Sequence, residues 1–152
     1  MRPSDESFLL SLFRALRAPG YEWSGGHLNM PSTVHLQFKA REQALGSKFP
    51  SGDDRVVEFD GAPIGRFWAT CDWSAFHVAD LSILPEHQRR GVGTKLARDL
   101  IEKARGAKLP VLVTVAQPDV KSCRFYQRLG FEVADQNVSY VSLEWRPRDR
   151  PE

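Results

Sequence analysis

The segment Leu81–Thr94 contains the residues whose types and spacing are best suited to hold a charged ligand. A short apolar run stops at Pro85, and a polar, basic turn then leads to Gly91 and Gly93 at the start of a helical pattern. Glycines let the backbone approach a ligand closely, and the free N–H groups and dipole of a helix N-terminus attract anions. The order of strand, basic glycine turn and helix therefore predicts that this segment binds a pyrophosphate.

The glycine turn is not specific by itself, because a plain tight turn has the same pattern. It lacks the third glycine of the dinucleotide-binding fingerprint, and no Gly-Lys-Ser/Thr phosphate loop is present. The charge around it suits a phosphorylated ligand, although a solvated helix face is the alternative. Between His87 and Arg105, Asp99 and Glu102 stand against six basic residues, which are Arg89, Arg90, Lys95, Arg98, Lys103 and Arg105.

Two motifs in this order resemble the GNAT superfamily of N-acetyltransferases. Gln88–Gly93 reads Gln-Arg-Arg-Gly-Val-Gly and matches Gln/Arg-x-x-Gly-x-Gly/Ala, the loop that binds the pyrophosphate of acetyl-CoA in that family. Phe125–Phe131 is similar to the Tyr-x-x-x-Gly-Phe end of the family's second motif, and the apolar run Val111–Ala116 lies between the two. The resemblance covers Arg55–Trp145 and extends more loosely to the N-terminal helices, which resemble the family's substrate-side helices.

The resemblance implies how acetyl-CoA would bind. Backbone groups near Ile83 and Leu84 would pair with the pantetheine arm as an added strand does, and the amides of Gln88–Thr94 would bind the pyrophosphate. The implied cofactor-binding residues are Ile83, Leu84, Gln88, Arg89, Arg90, Gly91, Val92, Gly93, Thr94, Asp119 and Ser122. The family usually has Asn and Ala at the last two positions. Asp119 can cap the helix that follows but, unlike Asn, it offers only hydrogen-bond acceptors.

The resemblance also implies a general acid. Tyr126 occupies the position of the family's usual acid, whose phenol would protonate the CoA thiolate as it leaves; outside this motif, a core residue would be the simpler interpretation. Asp80 is the tentative base for the attacking amine, on the strand that leads into the glycine turn. His77 lies three residues earlier and would face the other side of a regular strand. An edge charge or a capping contact is the alternative role of Asp80.

The surrounding pattern predicts the elements that must position these residues. The expected helices cover about residues 4–17, 31–44, 94–105 and 120–129. Asp60-Gly61 is a strong signal for a hairpin turn. The expected strands are Arg55–Phe59, Ile64–Thr70, Phe76–Leu84, Val111–Ala116, Phe131–Ala134 and Val138–Trp145. Of these, Val111–Ala116 is continuously apolar, which is typical of a strand buried on both faces.

The order helix, helix, hairpin, strand, helix, strand, helix and two strands predicts an α/β fold of mixed (α+β) type. We expect a GNAT-like central sheet that is mixed but mostly antiparallel, splayed at the cofactor site and covered by helices on both faces. A chain of 152 residues fits one domain. Residues 1–152 are therefore interpreted as a single acetyltransferase domain, with a frayed tail from about residue 147.

Composition and charge exclude several other classes of protein. The net charge of +2 is too weak by itself to indicate nucleic-acid binding. Cys71 and Cys123 are the two cysteines, and neither they nor the histidines have metal-ligand spacing, so no metal is expected. The sequence has no signal-peptide pattern and no apolar run long enough to span a membrane. No membrane partner and a cytoplasmic location are expected.

These observations predict an enzyme that transfers an acetyl group from acetyl-CoA to a primary amine. Direct attack on the thioester is expected, and nothing in the sequence places Cys123 as a nucleophile. The alternative is a non-catalytic domain that binds or senses acyl-CoA. The acceptor would be the amine of a small molecule or a peptide, with Tyr21, Trp23 and Trp68 as candidate aromatic contacts. The protein would be a monomer or a homodimer.

Overall fold

The computed structural model describes residues 3–21, 31–116 and 119–148. The helices are α1 (Glu6–Tyr21), α2 (Pro31–Lys48), α3 (Val92–Ala107) and α4 (Val120–Arg128). The strands are β1 (Asp53–Phe59), β2 (Ala62–Cys71), β3 (Phe76–Ile83), β4 (Val111–Ala116), β5 (Glu132–Gln136) and β6 (Tyr140–Trp145), and 3₁₀ turns lie at Pro3–Asp5 and Pro85–His87. The predicted order of elements is confirmed. Trp23, the side chain of Tyr21 and the end of the tail lie outside the described residues.

The first two helices are longer than predicted. α1 continues through Pro19 to Tyr21, so Pro19 and Gly20 do not end the helix as residues of these types usually do. α2 runs past Ala44 to Lys48, and Phe49 N still donates to the oxygen of Leu45 at 2.8 Å. Among the described helices, none combines the length and apolarity needed to cross a bilayer. The cytoplasmic location remains a prediction.

The six strands of the described chain form one sheet in the order β1-β2-β3-β4-β6-β5. Asp60 and Gly61 join β1 to β2, and their φ angles of 52° and 80° lie in the left-handed region that tight hairpin turns require. β3 is parallel to β4, whereas β6 is antiparallel to both β4 and β5. The predicted α/β fold with a mixed, mostly antiparallel sheet is confirmed.

Internal contacts group the chain into two compact units. The first contains Met1–Trp68 with Asp80–Arg90, and the second contains Ala69–Ala79 with Gly91–Glu152. The register of β3 against β4 runs from Phe76↔Val111 to Val78↔Val113, within the second unit. The expected splay of the sheet and the interpretation of the chain as one domain remain predictions.

The core of the first unit joins α1 to α2. Leu9 and Phe13 lie one helical turn apart on α1, and Val34 and Phe38 have the same spacing on α2, so each pair forms one apolar stripe. The rings of Phe13 and Phe38 meet with their centroids 5.6 Å apart. Val56 of β1 packs against this cluster, so both helices are anchored to the hairpin.

The second unit has buried apolar residues on α3 and on the strands β4 and β6. Those on the helix are Ala97, Leu100, Ile101 and Ala104, and those on the strands are Val111, Val113, Val115, Val141, Leu143 and Trp145. The alternation along β4 leaves Thr114 and Ala116 exposed. The prediction that this strand is buried on both faces was therefore wrong, because an apolar run alone does not show that a second layer covers the strand.

Gly65 of β2 permits a close approach to the end of β3 in the first unit. A Cβ atom at Gly65 would overlap the backbone oxygen of Ser82 and would lie 2.7 Å from Cδ1 of Ile83. Leu84 N donates to the oxygen of Ile64 at 2.8 Å in the same region. The position of the Ser82–Leu84 backbone therefore depends on the absence of a side chain at Gly65.

We expect Gly65→Ala to lower the free energy of unfolding by about 1–3 kcal/mol, since the overlap with Ser82 must be relieved by shifting backbone. Gly46→Ala, on α2 in the same unit, is the matched control. A Cβ there meets nothing within 4 Å, so that change should be neutral or stabilising by up to about 1 kcal/mol. Urea unfolding measures both. Equal stability of the two variants would show that the close approach has no energetic importance.

Candidate functional site

The turn after β3 is tied back to the strand by the side chain of Gln88. Its Nε2 donates to the backbone oxygen of Ile83 at 2.8 Å, and the amides of His87 and Gln88 donate to Leu84 and Pro85. The side chain of Gln88 thus has a structural role, and its backbone amide, one of the predicted pyrophosphate donors, is already bonded to Pro85. The backbone amides that follow it remain the candidate anion donors.

Left-handed dihedrals shape the predicted pyrophosphate loop. Arg89 has φ 64° and Gly91 has φ 81°, so both lie in the left-handed region. Arg89 and Arg90 are both exposed, as expected for side chains that add positive charge at the surface.

The N-terminus of α3 offers free donors. Its N-cap is Gly91, which has no side chain to accept a hydrogen bond from the first turn. The free amides of Val92, Gly93 and Thr94 and the helix dipole together favour a negative ligand there. A contact of residues 88–94 with a pyrophosphate remains a prediction.

The two predicted motifs meet inside the second unit. A Cβ atom at Gly93 would lie 3.7 Å from the ring of Phe125 on α4, which is ordinary van der Waals contact. The start of α3 therefore packs beside the residue that precedes Tyr126. This contact brings the glycine loop and the aromatic motif together although they are distant in sequence.

Tyr126 is held by aromatic rings on both sides. The residue is 5% exposed, and its ring meets those of Phe125 and Phe131 edge-on, with centroids 5.0 and 5.1 Å away. Gly130, at φ 99°, ends the helix and turns Phe131 back, so that its amide donates to the oxygen of Tyr126. The motif thus fixes the phenol ring, and the role of its hydroxyl as an acid remains a prediction.

Asp119 and Ser122 bind each other at the start of α4. One carboxylate oxygen of Asp119 accepts from the amide of Ser122 at 3.0 Å, and the other accepts from its hydroxyl at 2.6 Å. The predicted N-cap is confirmed. A contact of either residue with a cofactor remains a prediction. Such a contact would have to use the lone pairs of the Asp119 carboxylate and the Ser122 hydroxyl that are not engaged in this cap.

Cys123 follows this cap and is half-buried. Burial, and then the negative charge of Asp119, raise the pKa of its thiol. The thiolate is the nucleophilic form of cysteine, so these surroundings keep Cys123 in its unreactive form at neutral pH.

Asp80 is a buried carboxylate with several partners in the first unit. It is 8% exposed; Oδ1 accepts from the hydroxyl of Ser82 at 2.6 Å, and Oδ2 accepts from Nη1 of Arg41 at 3.2 Å. Nη1 of Arg66 lies 3.9 Å from the same oxygen. Asp80 is therefore not an edge charge but a member of a buried ion cluster.

Arg66 is the centre of that cluster, and the sequence did not single it out. It is 3% exposed, donates to both oxygens of Asp54 at 2.8 and 2.6 Å, and donates to Glu42 at 2.6 Å. Burial opposes its charge, but these hydrogen bonds outweigh that cost and raise the pKa of the guanidinium. The available signal was a charged residue alternating with Ile64 and Trp68 on the buried face of a strand.

His77 and Asp80 have different partners. Nε2 of His77 lies 3.0 Å from Oδ2 of Asp72 in the turn before β3. Hydrogen bonds from the hydroxyl and amide of Ser74, and from His77, hold the pKa of Asp72 well below its usual range. His77 thus helps to fix the turn before β3. Among the described residues, no three His, Cys, Asp or Glu side chains form a group that could hold a metal ion.

The fold and these motifs identify the family of the protein. Residues 14–131 match the model of the acetyltransferase (GNAT) family, which is well over half of the chain, and the protein belongs to that family. A curated relative, the uncharacterized N-acetyltransferase ycf52 of Pyropia yezoensis, is 34% identical over 71 residues, or 47% of this chain. The chain matches 38% of the length of that relative.

Solved structures agree on the fold. The PaiA N-acetyltransferase from Thermoplasma acidophilum, in complex with coenzyme A, superposes with a TM-score of 0.72 at 18% identity, covering 96% of this chain and 95% of its own. An acetyltransferase from Thermus thermophilus superposes with a TM-score of 0.69 at 18% identity, covering 96% of this chain and 93% of its own. A GNAT family acetyltransferase from Elizabethkingia anophelis with acetyl-CoA bound superposes with a TM-score of 0.59 at 16% identity, covering 69% of this chain and 82% of its own.

The two cysteines should differ in reactivity. Iodoacetamide at neutral pH is expected to modify the exposed Cys71 several-fold faster than Cys123, because the raised pKa of Cys123 lowers its thiolate fraction. Mass spectrometry of the native protein over time measures both rates, and the urea-unfolded protein, where the two should react alike, is the control. Faster labelling of Cys123 in the native state would contradict the assignment.

Proposed function

We propose that this protein transfers an acetyl group from acetyl-CoA to a primary amine by direct attack on the thioester. The packing of Gly93 at the start of α3 against Phe125 of the aromatic motif carries the proposal. This contact supports the proposal because the N-terminus of α3, the candidate phosphate site, lies beside the residue that precedes the buried Tyr126. The complexes of related folds with coenzyme A and acetyl-CoA support the same ligand.

In this proposal the glycine loop holds the cofactor. The amides of residues 91–94 bind the pyrophosphate, and the exposed Arg89 and Arg90 add positive charge. The carbonyl oxygens of Ile83 and Leu84 contact the pantetheine arm through the lone pairs that Gln88 and His87 leave free, since Leu84 N already donates to Ile64. Asp119 and Ser122 contact the arm through the lone pairs that their mutual cap does not use. The loop thus supplies most of the affinity and takes no part in the proton transfers.

Two side chains carry the chemistry in this proposal. The hydroxyl of Tyr126 protonates the CoA thiolate when the tetrahedral intermediate collapses, which removes the cost of expelling an anion. Asp80 accepts the proton that the amine loses. The raised pKa of Cys123 supports a mechanism without an acetyl-cysteine intermediate, because a protonated thiol is a poor nucleophile.

Replacing Tyr126 with Phe tests the acid. The change keeps the ring contacts with Phe125 and Phe131 and removes only the proton donor, so turnover should fall about 10²-fold or more while KM for acetyl-CoA changes little. Release of free CoA thiol, followed colorimetrically with a panel of primary amines, measures this. Tyr140→Phe, at a partly exposed position on β6, is the control. Unchanged turnover in the Tyr126 variant would remove Tyr126 from the mechanism.

Gly91→Ala tests the loop. A non-glycine residue at φ 81° costs roughly 1–2 kcal/mol, so the loop should relax in the free protein and CoA binding should weaken about tenfold. Isothermal titration with CoA measures the affinity, and Gly106→Ala, where a Cβ meets nothing within 4 Å, is the control. Equal affinities would place the pyrophosphate elsewhere.

A separate outcome would favour the alternative function. If the wild-type protein binds CoA and acetyl-CoA but acetylates no amine in a broad panel, a domain that senses acyl-CoA becomes the better interpretation. The observation that favours it is the Asp119–Ser122 cap, which occupies two positions where the family usually has different residues.

A further inference from the structure

The ions around Asp80, of which Arg66 and Asp80 are buried and the others partly exposed, do not balance in charge. We define the Arg66 cluster as Arg41, Glu42, Asp54, Arg66 and Asp80, all in the first unit. It contains three carboxylates and two guanidiniums. Buried charges are stable only when they are paired and hydrogen-bonded. The formal excess of one negative charge therefore favours an additional cation beside the cluster.

Arg66 makes its hydrogen bonds to the two other carboxylates of the cluster and not to Asp80. Its three hydrogen bonds, of 2.6 to 2.8 Å, go to Asp54 and Glu42, whereas its nearest nitrogen stays 3.9 Å from Asp80. In the described part of the chain, the guanidinium within hydrogen-bond distance of Asp80 is that of Arg41, through one contact of 3.2 Å. Asp80 therefore depends on Arg41 for its direct counter-ion.

Arg41 is the most loosely held ion of the cluster. Its side chain is 33% exposed, compared with 3% for Arg66 and 7% for Asp80. Its contact is longer than the roughly 2.7–2.9 Å of a strong charge-assisted hydrogen bond. A long side chain on the surface of α2 can turn into water, and that movement would leave Oδ2 of Asp80 open to another cation.

A second observation at the same cluster indicates a ligand. The indole N–H of Trp68 has no hydrogen-bond partner among the described residues, although the residue is only 6% exposed. The guanidinium of Arg66 lies 4.7 Å from the centre of the indole ring, so Trp68 and Asp80 border the same buried group. An unpaired buried donor costs roughly 1–3 kcal/mol, and an oxygen atom from a ligand would recover that free energy.

We propose that Asp80 and Trp68 form the subsite for the acceptor amine, and that Arg41 is a resident counter-ion which a cationic amine displaces. The ammonium group of the acceptor replaces the guanidinium at Oδ2 of Asp80, and an oxygen next to the amine accepts from the indole N–H. The substrate class is a primary ammonium compound with a hydroxyl or carbonyl oxygen close to the nitrogen. This inference rests on the proposed acetyl transfer and adds Arg41 as a specificity-determining residue.

Binding of two matched probes tests the subsite without knowledge of the natural acceptor. Ethanolamine carries an ammonium and a hydroxyl, and propylamine has the same length without the oxygen. Arg41→Ala should bind ethanolamine about fivefold more tightly than the wild type, since the competing ion pair is gone. Calorimetric titration measures affinity, and Arg55→Gln, which removes an exposed arginine paired with Asp53, should leave it unchanged.

Two further variants locate the contacts. The gain in affinity should disappear in Arg41→Ala/Asp80→Asn, and the preference for ethanolamine over propylamine should disappear in Trp68→Phe. A gain that persists without Asp80, or no gain at all in Arg41→Ala, would overturn the proposal. If Arg41→Ala does not fold, Arg41→Lys replaces it. The lysine side chain is shorter, so an amine should displace it from Asp80 more easily. The affinity for ethanolamine should therefore rise in Arg41→Lys too, but by a smaller factor than in Arg41→Ala.

Kinetics separate this inference from the proposed function. With an amine that is acetylated, Arg41→Ala should lower KM for the amine about fivefold and leave KM for acetyl-CoA unchanged. Should the probes bind as expected while no amine is acetylated, the acetyl transfer fails and the ammonium subsite stands. Should amines be acetylated with an unchanged KM in Arg41→Ala, the transfer stands and the role of Arg41 fails.

Discussion

The buried guanidinium of Arg66 is the interaction on which the first unit depends. It joins Asp54 of β1 to Glu42 of α2 and lies over the ring of Trp68 on its own strand. Removing ions from water is costly, and the attraction between them compensates only when every group is paired. Loss of one partner from such a cluster typically costs about 3–5 kcal/mol. The position of α2 relative to the hairpin is therefore set by ion pairing as well as by its apolar stripe.

The second unit depends on a different constraint, which is the fit of aromatic rings around a helix end. Phe125 and Phe131 enclose Tyr126, and the glycine that turns the chain between α4 and Phe131 lies against Trp145, where an added Cβ would be 3.5 Å from the indole. The guanidinium of Arg105 lies 5.3 Å from the centre of that same indole ring. The motif that the sequence analysis treated as a functional signature is thus also a packing unit.

Prediction from sequence succeeded where a few neighbouring residues decide the structure. Asp60 and Gly61 form the expected hairpin turn because their dihedral preferences are local. Asp119 caps α4 as expected because its side chain accepts a hydrogen bond from the amide of a residue only three positions later. The role of the glycine loop in binding a pyrophosphate remains a prediction. Prediction failed for β4, because the second face of a strand is covered or left open by elements that the strand's own residues do not specify.

The sequence by itself determined the family, the order of elements, the glycine loop and the position of the candidate acid. Only the tertiary structure decided what surrounds the candidate base. Asp80 contacts Arg41, which is 39 residues away in the chain. Both belong to the cluster centred on Arg66, and the sequence pattern does not distinguish Arg66 from any other charged residue in a strand. Ion pairing and burial depend on which remote residues the fold brings together. No local pattern carries that information, and it is there that the choice of acceptor is expected to be made.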